Sequence, residues 1–368
     1  MIIKLSNYDS RYRICVLAKT ESVKDYLTEK NLNVALFQNN SISFYPDDIC
    51  FDLNEKSAEQ FEESYDFDVF EIDCLGNAYK YFNSQSIDNA ILITNQCNSN
   101  CVMCPTPESI RQRQTSYTAD KLIEIIRHFP KDAPHITITG GEPFLLKKDI
   151  FCVLNYLKTN LDCSEYLLLT NGRAFCSKEY TRLFEQNTPT DIILGIPVHG
   201  HNSEIHDSIT QAKGSFSQTI SGIKNLISIK ANIEIRIVVS KLNADYLEFI
   251  SDLIISELRG IKCVKIIGLE MTGNAAKNKD AVWIDYPSAF NKSKCCIDKL
   301  INAGVDVGIY NFPLCSVDKK YWSICEKSIS DYKIRYTDGC KSCKVKDACG
   351  GIFSGTIRLA GESVNPIR

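Results

Sequence analysis

Cys97, Cys101 and Cys104 stand together in the run Gln96-Cys97-Asn98-Ser99-Asn100-Cys101-Val102-Met103-Cys104-Pro105. A loop with C-x3-C-x2-C spacing can wrap its thiolates around one iron-sulfur cube, but it provides three ligands for four irons. Such cubes are ordinarily closed by four thiolates, so the missing ligand would come from outside the chain. Structural zinc also takes closely spaced cysteines, yet no fourth Cys or His stands nearby.

A second group lies near the C-terminus, Cys340-Lys341-Ser342-Cys343 and then Cys349, with Cys315 upstream as a fourth thiolate and Cys325 as its rival. Four thiolates suit an iron-sulfur cluster or zinc equally. The chain has 17 cysteines. In a secreted protein that would suggest disulfides, but the N-terminus has no export signal, so a cytoplasmic protein is expected. Cys15, Cys152, Cys163, Cys176 and Cys263 sit in apolar settings and read as small buried hydrophobes.

With 368 residues, 44% of them hydrophobic, the chain can bury one large core plus small accessory units. A net charge of -3 gives no basic excess, which disfavours nucleic acid as a partner. No apolar run approaches the roughly 20 residues needed to cross a bilayer.

The elements that must position these cysteines follow from periodicity. Residues 1–86 contain short strand-like runs and predict a small, mostly β unit. From there strands alternate with helices. Strands are expected over 90–94, 135–139, 166–170, 191–198, 233–239 and 264–268, and a seventh over 305–310. Helices are expected over 119–129, 149–158, 216–229, 246–258 and 287–303. In His135-Ile136-Thr137-Ile138-Thr139 the isoleucines share one face and the polar residues the other; Ile233-Glu234-Ile235-Arg236-Ile237 alternates likewise. Sheets covered by helices on both sides read as continuously apolar. The pattern therefore predicts an incompletely closed six-stranded α/β barrel over residues 87–304, with a wet interior and a cysteine-rich extension over 305–368.

Parallel barrels carry their sites at the carboxyl ends of the strands, where further motifs fall in series. Gly140-Gly141-Glu142-Pro143 follows the second strand, Thr170-Asn171-Gly172-Arg173 the third, and His199-Gly200-His201 the fourth, with His206 beyond; Glu270 follows the sixth. Each has a plain reading: turns for the glycine motifs, solvated loop histidines, and a pair with Glu234 for Arg236.

Taken together, the cysteine triplet and the Gly-Gly-Glu-Pro loop resemble the radical S-adenosylmethionine (SAM) superfamily. The resemblance implies a 4Fe-4S cluster on Cys97, Cys101 and Cys104 whose open iron is chelated by S-adenosylmethionine. It implies that Gly140, Gly141 and Glu142 hold the methionyl amine, that Thr170 or Asn171 bonds the ribose, and that Arg236 forks the carboxylate. Met103 takes the place where the superfamily often has an aromatic residue against the adenine. The C-terminal cysteines resemble the twitch or SPASM extension of peptide-modifying members; since none follows Cys349, at most one auxiliary cluster, on Cys315, Cys340, Cys343 and Cys349, is implied. Further motifs, among them Gly195-Ile196-Pro197-Val198, His206-Asp207, Gln211-Ala212-Lys213-Gly214-Ser215-Phe216, Gly268-Leu269-Glu270-Met271-Thr272-Gly273 and Ser328-Ile329-Ser330-Asp331, resemble the C-protein maturases of the His-Xaa-Ser peptide system. That likeness implies a small precursor peptide with His-x-Ser repeats, a second radical SAM maturase as partner, and an external electron donor.

Overall fold

Two sheets account for the architecture of the computed structural model, which describes residues 2–113, 117–361 and 363–368. The first contains β1 (Ile2–Lys4), β2 (Arg13–Ala18), β3 (Val34–Gln38), β4 (Ser41–Tyr45), β5 (Ile49–Asp52), β6 (Val69–Ile72) and β7 (Asn77–Phe82), in the order β1-β7-β6-β2-β3-β4-β5. Only the β2–β3 pair is parallel. Successive side chains of a strand face opposite ways, and here both faces are buried. Cys15, Leu17, Ala35 and Phe37 point to a local core under the helix Glu55–Glu62. Ile14, Val16, Val34 and Leu36 join the core of the second sheet. The small N-terminal unit is thus mostly β as expected, but it shares its core with the barrel.

The second sheet is wholly parallel and runs in chain order: β8 (Asn89–Leu92), β9 (His135–Thr139), β10 (Glu165–Leu169), β11 (Ile193–Pro197), β12 (Asn232–Val239), β13 (Cys263–Gly268), β14 (Asp306–Tyr310) and β15 (Cys325–Glu326). The six expected strands are present; β14 and the two-residue β15 extend the sheet to eight. No bond pairs β15 with β8 among the described residues, so the barrel is open on one side. Ile91, Ile138, Leu168, Leu194 and Ile233 lie in one register row, all buried against the surrounding helices. The lumen rows differ: Pro197, Arg236, Lys265 and Gly308 form one, and Val238, Ile267, Tyr310 and Glu326 the next.

Of the expected buried cysteines, Cys15 and Cys263 are buried, but Cys152 and Cys176 are exposed. Both lie where neighbouring apolar residues turn inward and leave the thiol on the outer side, which local composition does not reveal. A short antiparallel pair, β16 (Ile334–Arg335) with β17 (Ile352–Phe353), frames the C-terminal cysteines.

The two sheets are joined by Phe82 of β7, whose ring packs at a tilt with its centre 4.9 Å from that of Phe129 of the barrel, and by Lys121, which bonds Glu71 at 2.5 Å between the rings of Tyr12 and Tyr117. Phe82→Ala should therefore cost about 3–5 kcal/mol and lower one shared unfolding transition, read by circular dichroism in denaturant. Two transitions, with only the smaller one shifted, would show that the sheets unfold independently.

Candidate functional site

The cysteine loop follows β8 and is braced from four sides. Asn171 Nδ2 donates to Asn98 Oδ1 at 2.7 Å, and Arg173 Nη1 donates to the Asn98 carbonyl at 2.5 Å and to Ser99 Oγ at 3.2 Å. Arg111 donates to the Ser99 carbonyl and Asn100 Oδ1. The helix Ser203–Thr210 offers its last carbonyls, Ile209 and Thr210, to the amides of Val102 and Asn100. From beyond β13, Asn274 donates to the Cys101 carbonyl at 2.9 Å and Asn278 to that of Val102 at 2.8 Å. The Asn98, Ser99, Cys101 and Val102 carbonyls and the Asn100 and Val102 amides are thereby committed, which holds the stretch that carries Cys97, Cys101 and Cys104.

The thiols are close enough to disfavour one another's ionisation. Burial, then the neighbouring sulfurs, raises Cys101 to about 12; Cys97 is raised by burial, with Glu142 and Cys104 adding to it. A free thiolate is costly there, so a positively charged metal centre is what would hold these sulfurs deprotonated. Met103 is buried with Ile209, Leu269 and Met271 in a small apolar cluster beside the loop.

Gly140 and Gly141 pack directly on the strand that leads into the cysteines. Gly141 N donates to the Thr94 carbonyl at 2.7 Å and Glu142 N to the Gln96 carbonyl at 2.8 Å. A Cβ on either glycine would fall on those same carbonyl oxygens. Glu142 is buried and turned toward the β10 loop: its carboxylate accepts from Asn171 N at 2.7 Å, Thr170 Oγ1 at 2.8 Å and Phe144 N at 3.1 Å. Burial raises its pKa despite these bonds. Gly140, Gly141, Glu142, Thr170 and Asn171 thus form one connected unit against the cysteine loop. Gly172 completes the turn with φ +75°, a left-handed value that suits glycine.

Arg236 lies in the lumen, its Nη1 3.0 Å from Glu234 Oε1, and Gly195 on the adjacent strand leaves space for it. Glu270 pairs with Lys333 of the C-terminal extension at 3.2 Å. His206 accepts the His199 backbone amide on Nδ1, and burial pulls the pKa of His199 to about 3 and that of His206 to about 4, so both are neutral. His201 packs against Tyr246 and Phe249. Sequence reasoning missed Arg173 and Asn274, which hold the loop but belong to no metal or acid–base pattern; the position of Arg173 beside Asn171-Gly172 was the one available signal.

Cys315, Cys340, Cys343 and Cys349 line one small apolar cavity with Pro313, Tyr336 and Ile352 among its other walls. The Leu314 and Gly351 amides each donate to Cys349 Sγ at 3.4 Å. Donors aimed at sulfur are what a metal-bound thiolate requires. Cys325 neighbours Cys349 but bonds the Tyr321 carbonyl and does not line the cavity. Among the described residues no three Cys, His, Asp or Glu side chains converge on a single ion position, in this cavity or in the Cys97–Cys104 loop; a cluster, with its ligands on different irons, does not need that convergence.

Comparison with known proteins bears on the barrel. Over 200 residues the chain is 25% identical to an AdoMet-dependent heme synthase of Methanosarcina barkeri, covering 53% of this chain and 54% of that protein. Over 145 residues it is 33% identical to the antilisterial bacteriocin subtilosin biosynthesis protein AlbA of Bacillus subtilis, covering 36% and 29%. The Streptococcus suis SuiB structure bound to precursor peptide SuiA superposes with a TM-score of 0.49 at 14% identity, covering 62% of this chain and 49% of that one. The chain spans about half the length of the first curated relatives it matches. Residues 91–254, from β8 past β12, match the family model described as Radical SAM superfamily, and this stretch includes the cysteine loop and the strands that position it.

Proposed function

We propose that the chain is a radical SAM enzyme that modifies a ribosomally made peptide. The braced cysteine loop, its three thiols gathered beside the glycine backbone at the carboxyl end of a parallel sheet, carries the reading. Cys97, Cys101 and Cys104 would hold a 4Fe-4S cluster, and Gly140, Gly141, Thr170, Asn171, Arg236 and Met103 would surround S-adenosylmethionine. When bound, this pair supplies one-electron reductive cleavage of a sulfonium and, through it, hydrogen-atom abstraction. The residues do the rest. Glu142 ties the loops after β9 and β10 together, and Arg173 and Arg111 fix the cysteine loop. Arg236 presents a planar guanidinium matched to a carboxylate.

A peptide substrate is supported by the likeness to a protein named for bacteriocin biosynthesis and by the second cysteine cavity, where Cys315, Cys340, Cys343 and Cys349 would hold an auxiliary 4Fe-4S cluster. The finer reading is a maturase of the His-Xaa-Ser type, acting in the cytoplasm with a second radical SAM maturase and an external electron donor. A second reading, action on a small molecule, is favoured by the likeness to the heme synthase. A precursor peptide with His-x-Ser repeats should raise turnover under the first reading and leave it unchanged under the second.

Anaerobic reconstitution with iron, sulfide, S-adenosylmethionine and dithionite should yield 5′-deoxyadenosine, measured by chromatography; none at all would overturn the proposal. Cys101→Ala should abolish that product. Gly141→Ala, whose Cβ meets the Gln96 carbonyl, should lower it about 10- to 100-fold while the iron content holds. Reconstituted protein should carry about eight irons per chain, falling to about four in Cys340→Ala/Cys343→Ala; four in both, with one zinc in the wild type, would assign the second cavity to zinc.

A further inference from the structure

The proposed cofactor contacts leave the lumen cation Lys265 unused. Lys265 of β13 is only 8% exposed, and its ammonium donates to Glu326 Oε1 at 2.8 Å. The Tyr310 ring centre lies 5.0 Å from Nζ. The lumen position beside it on β14 is Gly308, where a Cβ would stand 2.7 Å from Lys265 Nζ and collide with the Glu326 carboxylate. Glycine there keeps open a space shaped for a cation and its carboxylate.

The neighbouring pair is built differently. Arg236 takes its acid, Glu234, from two residues away on the same strand, and that acid is nearly buried. Glu326 comes from the two-residue edge strand β15, and its side chain is 47% exposed. The chain leaving β15 is tied down by Ser328 Oγ to Asn311 Oδ1 at 2.8 Å and by Ser330 Oγ to Asp88 Oδ2 at 2.7 Å, with the Ile329 side chain buried between them. The second bond crosses the open side of the barrel, because Asp88 immediately precedes β8. Asp88, Ser328 and Asn311 lie at the surface or partly so, where water can replace such bonds.

We propose that Lys265, with Tyr310 beside it, anchors a carboxylate of the substrate, either a chain terminus or an acidic side chain, and that Glu326 occupies this subsite until residues 326–330 are displaced. The inference rests on the reading above that the lumen receives a peptide. Withdrawing Glu326 leaves Lys265 and Arg236 opposite Glu234 alone. An unpaired cation in a largely desolvated lumen is strongly disfavoured, so an incoming carboxylate replaces Glu326 rather than adding to it.

The test is isothermal titration of the anaerobically reconstituted full chain, saturated with S-adenosylmethionine, using N-acetyltriglycine and its C-terminal amide as probes. Glu326→Gln should bind the free acid at least about tenfold more tightly than the wild type does, and should not bind the amide. Lys265→Gln added to Glu326→Gln should remove the gain. Ser330→Ala, which loosens the segment without touching the subsite, should give a smaller gain. Equal binding of acid and amide by Glu326→Gln, or a gain that survives in the double variant, would overturn the proposal. So would a gain seen only when S-adenosylmethionine is left out of the titration, which would assign the cation to the cofactor's own carboxylate. Measuring 5′-deoxyadenosine on the same samples separates the two levels. Cofactor cleavage without carboxylate selectivity sinks the subsite alone; its absence in every sample, wild type included, sinks the underlying function.

Discussion

The site depends on a contact between two backbones. Gly141 and Glu142 donate to the carbonyls of Thr94 and Gln96, the residues that carry β8 into the cysteine loop. The approach is possible because neither Gly140 nor Gly141 has a Cβ, which would stand 2.3 Å from the Thr94 carbonyl oxygen and 2.0 Å from that of Gln96. Sequence reasoning gave these glycines the task of admitting a ligand to the backbone. Their first task in the fold is to let one loop lie against another, and the same closeness brings the β9 loop beside the cysteines.

Polar groups then make that contact rigid. A carboxylate as deeply buried as that of Glu142 is costly unless its oxygens are bonded. The amides of Phe144 and Asn171 and the Thr170 hydroxyl satisfy it. The next residues of the β10 loop, Asn171 and Arg173, reach forward to Asn98 and Ser99. The three loops therefore form a closed chain of contacts, from cysteine loop to glycine loop to β10 loop and back. Asn274 closes the remaining side from β13. Preorganisation of this kind holds ligands to a fixed geometry through the groups behind them.

The parallel strands were legible because each alternates or runs apolar in a way that only one register can bury, as in His135–Thr139 and Asn232–Val239. Other elements were not, the helix Lys178–Asn187 among them, and two of these bear on the lumen and the cysteine loop. β15 is two residues long and carries no periodicity; it exists because Cys325 and Glu326 pair with Ile309 and Tyr310 of β14. The helix Ser203–Thr210 lies in a stretch whose motif, His206-Asp207, suggested chemistry. In the fold His206 accepts a backbone amide, and Asp207 bonds Gly214, Ser215 and Phe216 at the start of the next helix. Single residues of polar type are ambiguous in sequence because capping and catalysis draw on the same side chains. Cys315, Cys340, Cys343 and Cys349 line one cavity although residues 316–339 separate the first from the rest.

The register rows reveal an asymmetry across the lumen. On the β8–β10 side the inward positions are Ala90 and Leu92, Thr137 and Thr139, and Leu167 and Leu169. On the β12–β15 side they include Glu234, Arg236, Lys265, Tyr310 and Glu326. The cysteine loop springs from the side whose inward positions hold threonine and leucine beside it and the His135–Glu165 pair farther down. The charges gather on the other side, and Gly195 and Gly308 leave room for them by omitting side chains. A lumen that needed only to be filled would use branched apolar residues throughout. Glycine on two strands keeps charged groups inside the lumen, which makes physical sense where that wall meets a polar ligand rather than a packed core.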